Sequence, residues 1–419
     1  MSAGRSPDVV IVGGGLEGLS VAWRLTAAGV RDVLVLERDV LASGGTGKTS
    51  GVVRCHYGIQ SLAAMALRGL DVLENAADVL AADVGFVRTG YLVAVGPADL
   101  EALAANVSMQ RGLGIPVETP DSDTVRGMWP TAALGDFAGF AYEPRGGYGD
   151  GPQTALAYAA AAGRAGARIR QGSPVAALRA KDNRVTGVRL ASGEVISCQT
   201  VVVAAGPWSV PLLAGVGVDL PIRSQREAVL LVDPGHPLMS GGVGSPAARE
   251  DHDRAALGPL GDVPVLSDLV CLQYVRRERS GELLVGNSDL STPDWADPDR
   301  YLNRATEDEL DSAGRKLAHR FPGLPEARLS SSYAGCYDVT PDYNPIIGPA
   351  GMDGLLVCAG FSGHGYKISP AVGQLVADLV LHGTSQDAAI SASDFRLERF
   401  GEGKPLRSPH PYIGAGQMR

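Results

Sequence analysis

Residues 8–37 carry two kinds of hydrophobic pattern in quick succession. Asp8-Val9-Val10-Ile11-Val12 is a continuous, β-branched apolar run bounded by glycine, which predicts a parallel strand buried on both faces. Leu16, Leu19, Ala22 and Leu25 then recur at helical period, with Gly29 placed to end the helix. Val33-Leu34-Val35-Leu36 reads as a second strand. Leu62, Met65, Ala66, Leu70 and Leu73 predict a helix over 60–83. Phe86 to Pro97 reads as strands around a Thr89-Gly90 turn, and 98–113 as a polar-faced helix. A helix from Thr154 to Gly166 follows the turn Gly146-Gly147-Tyr148-Gly149-Asp150.

The pattern then changes. Pro174 to Leu178, Val185 to Leu190 and Glu194 to Ile196 read as a three-stranded antiparallel meander with Gly193 at one turn. Val201-Val202-Val203-Ala204-Ala205-Gly206 follows as another buried parallel strand. Residues 216–334 are richer in polar strands and loops, including Val229 to Val232 and Glu282 to Gly286, with a helix around Glu307 to Phe321. Leu355 to Ala359 is a further strand. A last helix shows its apolar face in Val372, Leu375, Val376 and Leu379, with Ser369 as N-cap, Pro370 at the first helical position and Gly383 as the stop.

Bulk composition narrows the classes. At 419 residues the chain is long enough for two domains with large cores. A net charge of −9 argues against a nucleic-acid partner, which requires clustered Lys and Arg. The five cysteines are scattered, with no C-x-x-C and no zinc-ligand spacing, so reduced thiols, no metal and a cytoplasmic location are expected. The first strand starts by residue 8, so no signal peptide is expected. The longest uncharged stretch, 195–218, is interrupted by Pro207, Pro211 and three glycines, so no membrane span is expected.

Chemistry enters at the first turn. Gly13-Gly14-Gly15-Leu16-Glu17-Gly18 has the G-x-G-x-x-G spacing between a strand and a helix, and Glu37 ends the next strand. The glycines allow close approach of a pyrophosphate, the helix N-terminus offers free N–H groups, and the acid can accept from ribose hydroxyls. With the meander downstream, the order favours an FAD-type over an NAD-type nucleotide domain.

Three segments carry a family resemblance: this opening, Thr340-Pro341-Asp342 with Pro345-Ile346-Ile347-Gly348, and Gly360-Phe361-Ser362-Gly363-His364-Gly365-Tyr366-Lys367. Over roughly residues 7–383 the chain resembles the D-amino-acid oxidase/sarcosine oxidase superfamily of FAD-dependent amine oxidoreductases, and within it sarcosine oxidases and proline dehydrogenase β subunits. The resemblance implies an α/β fold: a Rossmann-like FAD-binding domain from 1–85, 146–215 and 335–392, and a mixed α+β substrate domain built on an antiparallel sheet from 86–145 and 216–334. Residues 393–419 would form a C-terminal tail.

The same resemblance assigns residues. Gly13, Gly15, Leu16, Gly18, Glu37, Arg38, Thr46, Lys48, Thr49, Ser50, Val175, Ala205, Gly206 and Gly335 would line FAD. Gly363, His364, Gly365, Tyr366 and Lys367 would lie against its ring, where a helix N-terminus stabilises a reduced flavin. Arg54 and Lys367 would hold a substrate carboxylate, bidentately in the case of Arg54, with His364 and Tyr366 beside them. Arg223, Arg226 and Tyr274 are candidates for the substrate wall. Two departures from the family pattern stand out. The cysteine that tethers FAD in monomeric sarcosine oxidases falls opposite Gly335, one residue from Cys336, so non-covalent FAD is expected. No lysine precedes Asp297-Pro298-Asp299, where Trp295-Ala296 stand, which leaves O₂ or another electron acceptor open.

The expected activity is oxidation of the C–N bond of an amino acid or N-alkyl amino acid to an imine, by hydride transfer to flavin N5. The alternatives are the same chemistry on a biosynthetic amine, or a non-catalytic flavoprotein subunit or assembly factor. A small amine or amino-acid substrate and a possible oligomer complete the expectation.

Overall fold

The computed structural model describes residues 6–235 and 263–413; residues 236–262 of the stretch assigned above to the substrate domain, and 414–419 of the tail, lie outside the described residues. The opening pattern folds as its periodicity requires. Strand β1 is Val9–Val12, helix α1 is Leu16–Ala27 and strand β2 is Val33–Leu36. β1 is central in a six-stranded sheet, paired in parallel with β2 on one side and with Thr200–Val203 on the other. Arg168–Arg170 extends one edge, and Leu355–Ala359 with the antiparallel Ile346–Pro349 extends the other.

Period-2 alternation explains why the β1 run is apolar throughout. Val9 and Ile11 face the core shared with α1, Gly151–Arg164 and the final helix. Val10 and Val12 face the opposite core, closed by the meander Val175–Lys181, Arg184–Leu190 and Val195–Ser197 through Leu178, Val188 and Ile196. Each such fully buried side chain contributes about 1.5–3 kcal/mol.

A second, eight-stranded sheet is mostly antiparallel. Its centre pairs Arg223–Asp233 with Leu283–Asn287 and with the long strand Arg328–Val339. Its other side joins Tyr91–Val95 to Val265–Asp268 and Gly139–Glu143. Trp129, Phe140 and Phe321 fill its core.

Four local expectations are corrected. The 60–83 helix is two helices, Gln60–Glu74 and Ala76–Leu80. They are separated by Asn75, whose amide donates to the Asp71 carbonyl at 2.8 Å. The strands either side of Thr89-Gly90 enter different sheets. The helix expected from Thr154 starts at Gly151, because Asp150 caps it by accepting from Gln153 N at 2.7 Å. The last helix runs Gly365–His382, so Ser369 is not its N-cap and Pro370 lies inside it. The interior proline is tolerated because the carbonyl it leaves without an N–H partner, that of Tyr366, accepts the Ser369 hydroxyl at 2.9 Å. The earlier start places Gly365, Tyr366 and Lys367 in this helix's first turn.

Candidate active site

A cleft of about 620 Å³ opens along the carboxyl ends of β1 and β2. Its walls come from the turn after β1, Glu37 to Asp39, the segment from Gly44 to Ser50, Pro174 to Ala176, Ala204 to Trp208, Gly335 to Asp338, and Phe361, Gly363, Gly365 and Tyr366. Gly13 has φ +117°, and a Cβ there would lie 2.3 Å from the Ala204 carbonyl oxygen. A Cβ on Gly18 would lie 2.1 Å from the Gly13 oxygen. Strand, turn and helix are therefore in backbone contact, and the helix N-terminus faces the cleft without bulk in front of it. At the tip of β2, Glu37 accepts from Gly14 N at 2.7 Å and from Asp39 N at 2.8 Å. Those two donors fix the carboxylate while its remaining lone pairs stay available to hydroxyl groups.

The cleft suits a dinucleotide in its volume, its glycine turn and its acid placement. One buried oxygen on its wall, Glu17 Oε2, has no hydrogen-bond partner. FAD is thus accommodated by the residues present, with Gly13, Gly15, Leu16, Glu37, Arg38, Thr46, Lys48, Thr49, Ser50, Val175, Ala205, Gly206, Gly335, Gly363, Gly365 and Tyr366 on the walls. Gly18 packs behind them, and neither His364 nor Lys367 lies on this wall. Arg38 stacks on Trp208 at 3.9 Å and pairs with Asp299 at 3.1 Å, and Trp208 Nε1 donates to Asp299 at 2.9 Å. Thr46 Oγ1 accepts from Leu16 N at 3.1 Å, tying the segment from 44 to 50 to the start of α1.

A smaller cavity of about 60 Å³ adjoins the cleft and shares Thr49, Ser50, Tyr337, Gly363 and Tyr366 with it. It brings Arg54 and Lys367 together, each 4 % exposed. Arg54 stacks on the Tyr57 ring at 4.3 Å, and its Nη1 donates to the His56 carbonyl. Burial, and then the Arg54 charge, holds the Lys367 ammonium well below the usual lysine range. The remaining wall is neutral: Tyr91, Ser267, Tyr274, Asn287, Ser288 and Leu290 among others, with no aspartate or glutamate among the described lining residues. A buried guanidinium and a second basic side chain facing a cavity without a carboxylate among its described lining make a receptor for an anion, whose charge would in turn favour protonated Lys367.

The Arg54 segment is braced from behind. Glu143 accepts from Cys55 N at 2.7 Å, Gln110 donates to the Tyr57 carbonyl at 3.1 Å, and His56 Nε2 meets Tyr412 Oη at 2.8 Å. Burial, then Arg54, lowers the His56 imidazole to about 3, and burial raises the Glu143 carboxyl to about 7. His364 is engaged elsewhere. Its Nε2 donates to the Tyr343 carbonyl at 2.7 Å, its Nδ1 lies 3.3 Å from Tyr57 Oη, and burial, then Lys367, lowers it to about 3. It occupies the N-cap position of the last helix without a side-chain capping bond, and it lines neither cavity. Tyr366 reaches both cavities, and its hydroxyl lies 3.1 Å from Thr154 Oγ1.

Of the substrate-wall candidates, Tyr274 reaches the small cavity. Arg226 pairs with Asp294 and Glu309, and Arg223 stacks on Trp295, both away from it. Sequence reasoning missed Glu17, Trp208, Asp338 and Phe361 on the cleft and Ser267 and Asn287 on the cavity. Glu17 alone carried a signal: it is an acid inside a phosphate-binding turn. Asp136, Cys271 and His319 bring three possible ligand atoms within 4.8 Å. Arg320 donates to Asp136 at 2.7 Å and lies 3.7 Å from Cys271 Sγ, so a fixed cation already stands there. Among the described residues, no helix is long and apolar enough to cross a membrane.

A family model described as FAD dependent oxidoreductase matches residues 8–379, and the chain belongs to that family. It is 29% identical over 391 residues to the 4-methylaminobutanoate oxidase (formaldehyde-forming) of Paenarthrobacter nicotinovorans, covering 90% of this chain and 44% of that protein. The chain thus spans less than half the length of that relative. It is 27% identical over 413 residues to the sarcosine oxidase subunit beta of Rhodobacter capsulatus, covering 95% and 89%. Its fold matches the crystal structure of L-proline dehydrogenase from P. horikoshii with a TM-score of 0.82 at 22% identity, covering 96% of this chain and all of the other. The α/β architecture and the use of FAD expected from the sequence are those of this family.

Proposed function

We propose that this oxidoreductase oxidises the C–N bond of a small amino acid or N-alkyl amino acid, and that the small cavity holds the substrate carboxylate between Arg54 and Lys367. The observation that carries the reading is the pairing of these two buried basic side chains on a cavity that adjoins the cofactor cleft and has no acid among its described lining residues. The six-stranded sheet and its helices form the FAD-binding part, and the eight-stranded sheet supplies the far wall of the substrate site. The names of the relatives, a sarcosine oxidase subunit and a methylaminobutanoate oxidase, point to the same substrate class.

When bound, FAD supplies the two-electron acceptor that takes hydride from the carbon bearing the nitrogen, leaving an imine that water hydrolyses. The protein's own contribution is placement. Arg54 is held rigid by the Tyr57 ring and the His56 carbonyl, so little is lost in ordering it when the anion arrives. The first turn of the last helix offers the free N–H groups of Gly365 to Lys367 and its positive dipole end beside the shared wall of the two cavities. Tyr91, Tyr274 and Tyr337 line the same cavity as neutral groups, so a second positive charge on the substrate finds no acid there among the described residues. The test is binding of simple carboxylates that carry no oxidisable amine, read as a change in the flavin spectrum. Wild-type enzyme should bind them. Arg54→Ala should weaken binding by about 2–5 kcal/mol, the cost of losing one partner of a buried charge pair. Undiminished binding to the variant would refute the carboxylate assignment.

A further inference from the structure

Glu17 stands where the cofactor's negative charge is expected, yet it is an acid. It occupies the second position of α1, inside the phosphate-binding turn, and lines the cofactor cleft. Its Oε2 is buried without a hydrogen-bond partner. Its Oε1 lies close to the start of the last helix, since a Cβ on Gly365 would sit 2.6 Å from it. The side chain therefore lies between two helix N-termini that both serve the cleft, without taking an N–H from either.

Among the described residues, the titratable groups around it are Asp338, Cys358 and Tyr158. None is a cation. Burial raises the Asp338 carboxyl too, to about 6, but Asp338 has donors that Glu17 lacks. Asp338 accepts from Gly360 N at 2.6 Å, with further backbone donors at Phe361 and Ser362. A carboxylate satisfied by N–H groups can stay ionised, whereas a buried carboxyl without donors sheds its charge by keeping its proton. Burial, reinforced by the Asp338 carboxylate, holds the Glu17 carboxyl well above the usual range. Two neighbouring carboxyl groups in unlike environments thus titrate differently: Asp338 ionises near and above pH 6, while Glu17, without donors, is held towards its neutral form.

We propose that Glu17 binds FAD as a neutral acid, donating its carboxyl hydrogen to an oxygen of the cofactor. An ionised Glu17 would repel the pyrophosphate, and would offset the two helix dipoles that favour negative charge there. The neutral acid leaves the dipoles intact and adds a donor directed at an acceptor-rich ligand. The inference depends on FAD lying in the cleft and not on any substrate, so failure of the carboxylate reading above would leave it standing.

The experiment is an FAD titration of the deflavinated full-length chain, followed by flavin fluorescence from pH 6 to pH 9, with a redox titration of the reconstituted protein. Glu17→Gln keeps a donor without a titratable proton. It should bind FAD within about threefold of wild type at pH 6 and hold that affinity to pH 9. Wild-type affinity should fall as the acid titrates, by up to about tenfold per pH unit beyond its pKa. Glu17→Ala should lose at least tenfold at pH 6. The midpoint potential of Glu17→Gln should match wild type at pH 6. Two results would overturn the proposal: an Ala variant that binds FAD as tightly as wild type, or a Gln variant whose potential rises at pH 6, the mark of a negative charge removed. If the Ala variant fails to fold, the Gln variant decides alone, through its pH profile and potential.

Discussion

The ring nitrogen Nε2 of His56 meets the hydroxyl of Tyr412 at 2.8 Å, and their rings stack with centroids 5.8 Å apart. A residue near the end of the chain thereby supports the segment that presents Arg54. The tail is fixed along its course: Arg399 and Leu406 N both bond to Asp342, Asn106 donates to the His410 carbonyl at 3.0 Å, and Ile413 N donates to Asp99 at 3.0 Å. Tyr412→Phe leaves a buried imidazole nitrogen without its partner, at a cost of about 1–3 kcal/mol. We expect a lower Tm and weaker carboxylate binding while FAD content is unchanged. Thermal melts and ligand titrations of the flavin spectrum check both.

Gly18→Ala tests the junction of strand, turn and helix. The added methyl would lie 2.1 Å from the Gly13 oxygen, which is backbone and cannot rotate away. Helix α1 must move off β1, and the phosphate-binding turn moves with it. The expected result is loss of bound FAD, with stability lower by about 1–3 kcal/mol. Flavin content per chain and chemical denaturation measure the two effects.

The buried histidines give the stability a pH dependence. His56 is lowered to about 3 in the folded protein from an ordinary 6.5, so between those values the unfolded chain binds the extra proton. Its contribution is intact above pH 6.5 and is lost as the pH falls below it, by about 1.4 kcal/mol per unit. Glu143 acts in the opposite sense. Raised to about 7, it binds its proton in the folded state, so its contribution is present below about 4.5 and falls as the pH rises to 7. Because the two partly cancel, the informative comparison is between variants. His56→Asn should flatten the acid-side loss, as read from denaturation midpoints at pH 7, 6 and 5.

Cys336 tests how FAD is retained. It lines the cleft, but burial pushes its thiol up to about 11, so little thiolate forms at neutral pH. Precipitating the enzyme with acid should release all the flavin to the supernatant. Cys336→Ser should bind FAD as wild type does. Flavin that stays with the precipitated protein, and is released in Cys336→Ser, would establish a covalent link instead.

Much of this molecule was legible before its structure. The β1–α1–β2 opening reads from the sequence because local pattern and tertiary demand agree there: each position of β1 is apolar since both of its faces are covered. Arg54 and Lys367 could be paired only through the family resemblance, since they are far apart in the chain and nothing local joins them. The last helix was misplaced at its start because Ser369-Pro370 is a strong local signal. It was overridden by a hydrogen bond, Ser369 Oγ to the Tyr366 carbonyl, that local rules do not anticipate. His364 illustrates the remaining limit. Residue type and motif put it at the flavin, whereas its two nitrogens are directed at Tyr343 and Tyr57. Where a side chain points within a loop depends on neighbours from distant segments.

The most direct measurement is anaerobic mixing of the FAD-loaded enzyme with sarcosine, glycine, proline and larger amino acids, following the flavin absorbance. Bleaching by at least one of them, with much weaker apparent affinity in Arg54→Ala at unchanged FAD content, is the predicted result. An enzyme that binds FAD, reduces with dithionite and stays oxidised in the presence of every carboxylated amine would contradict it.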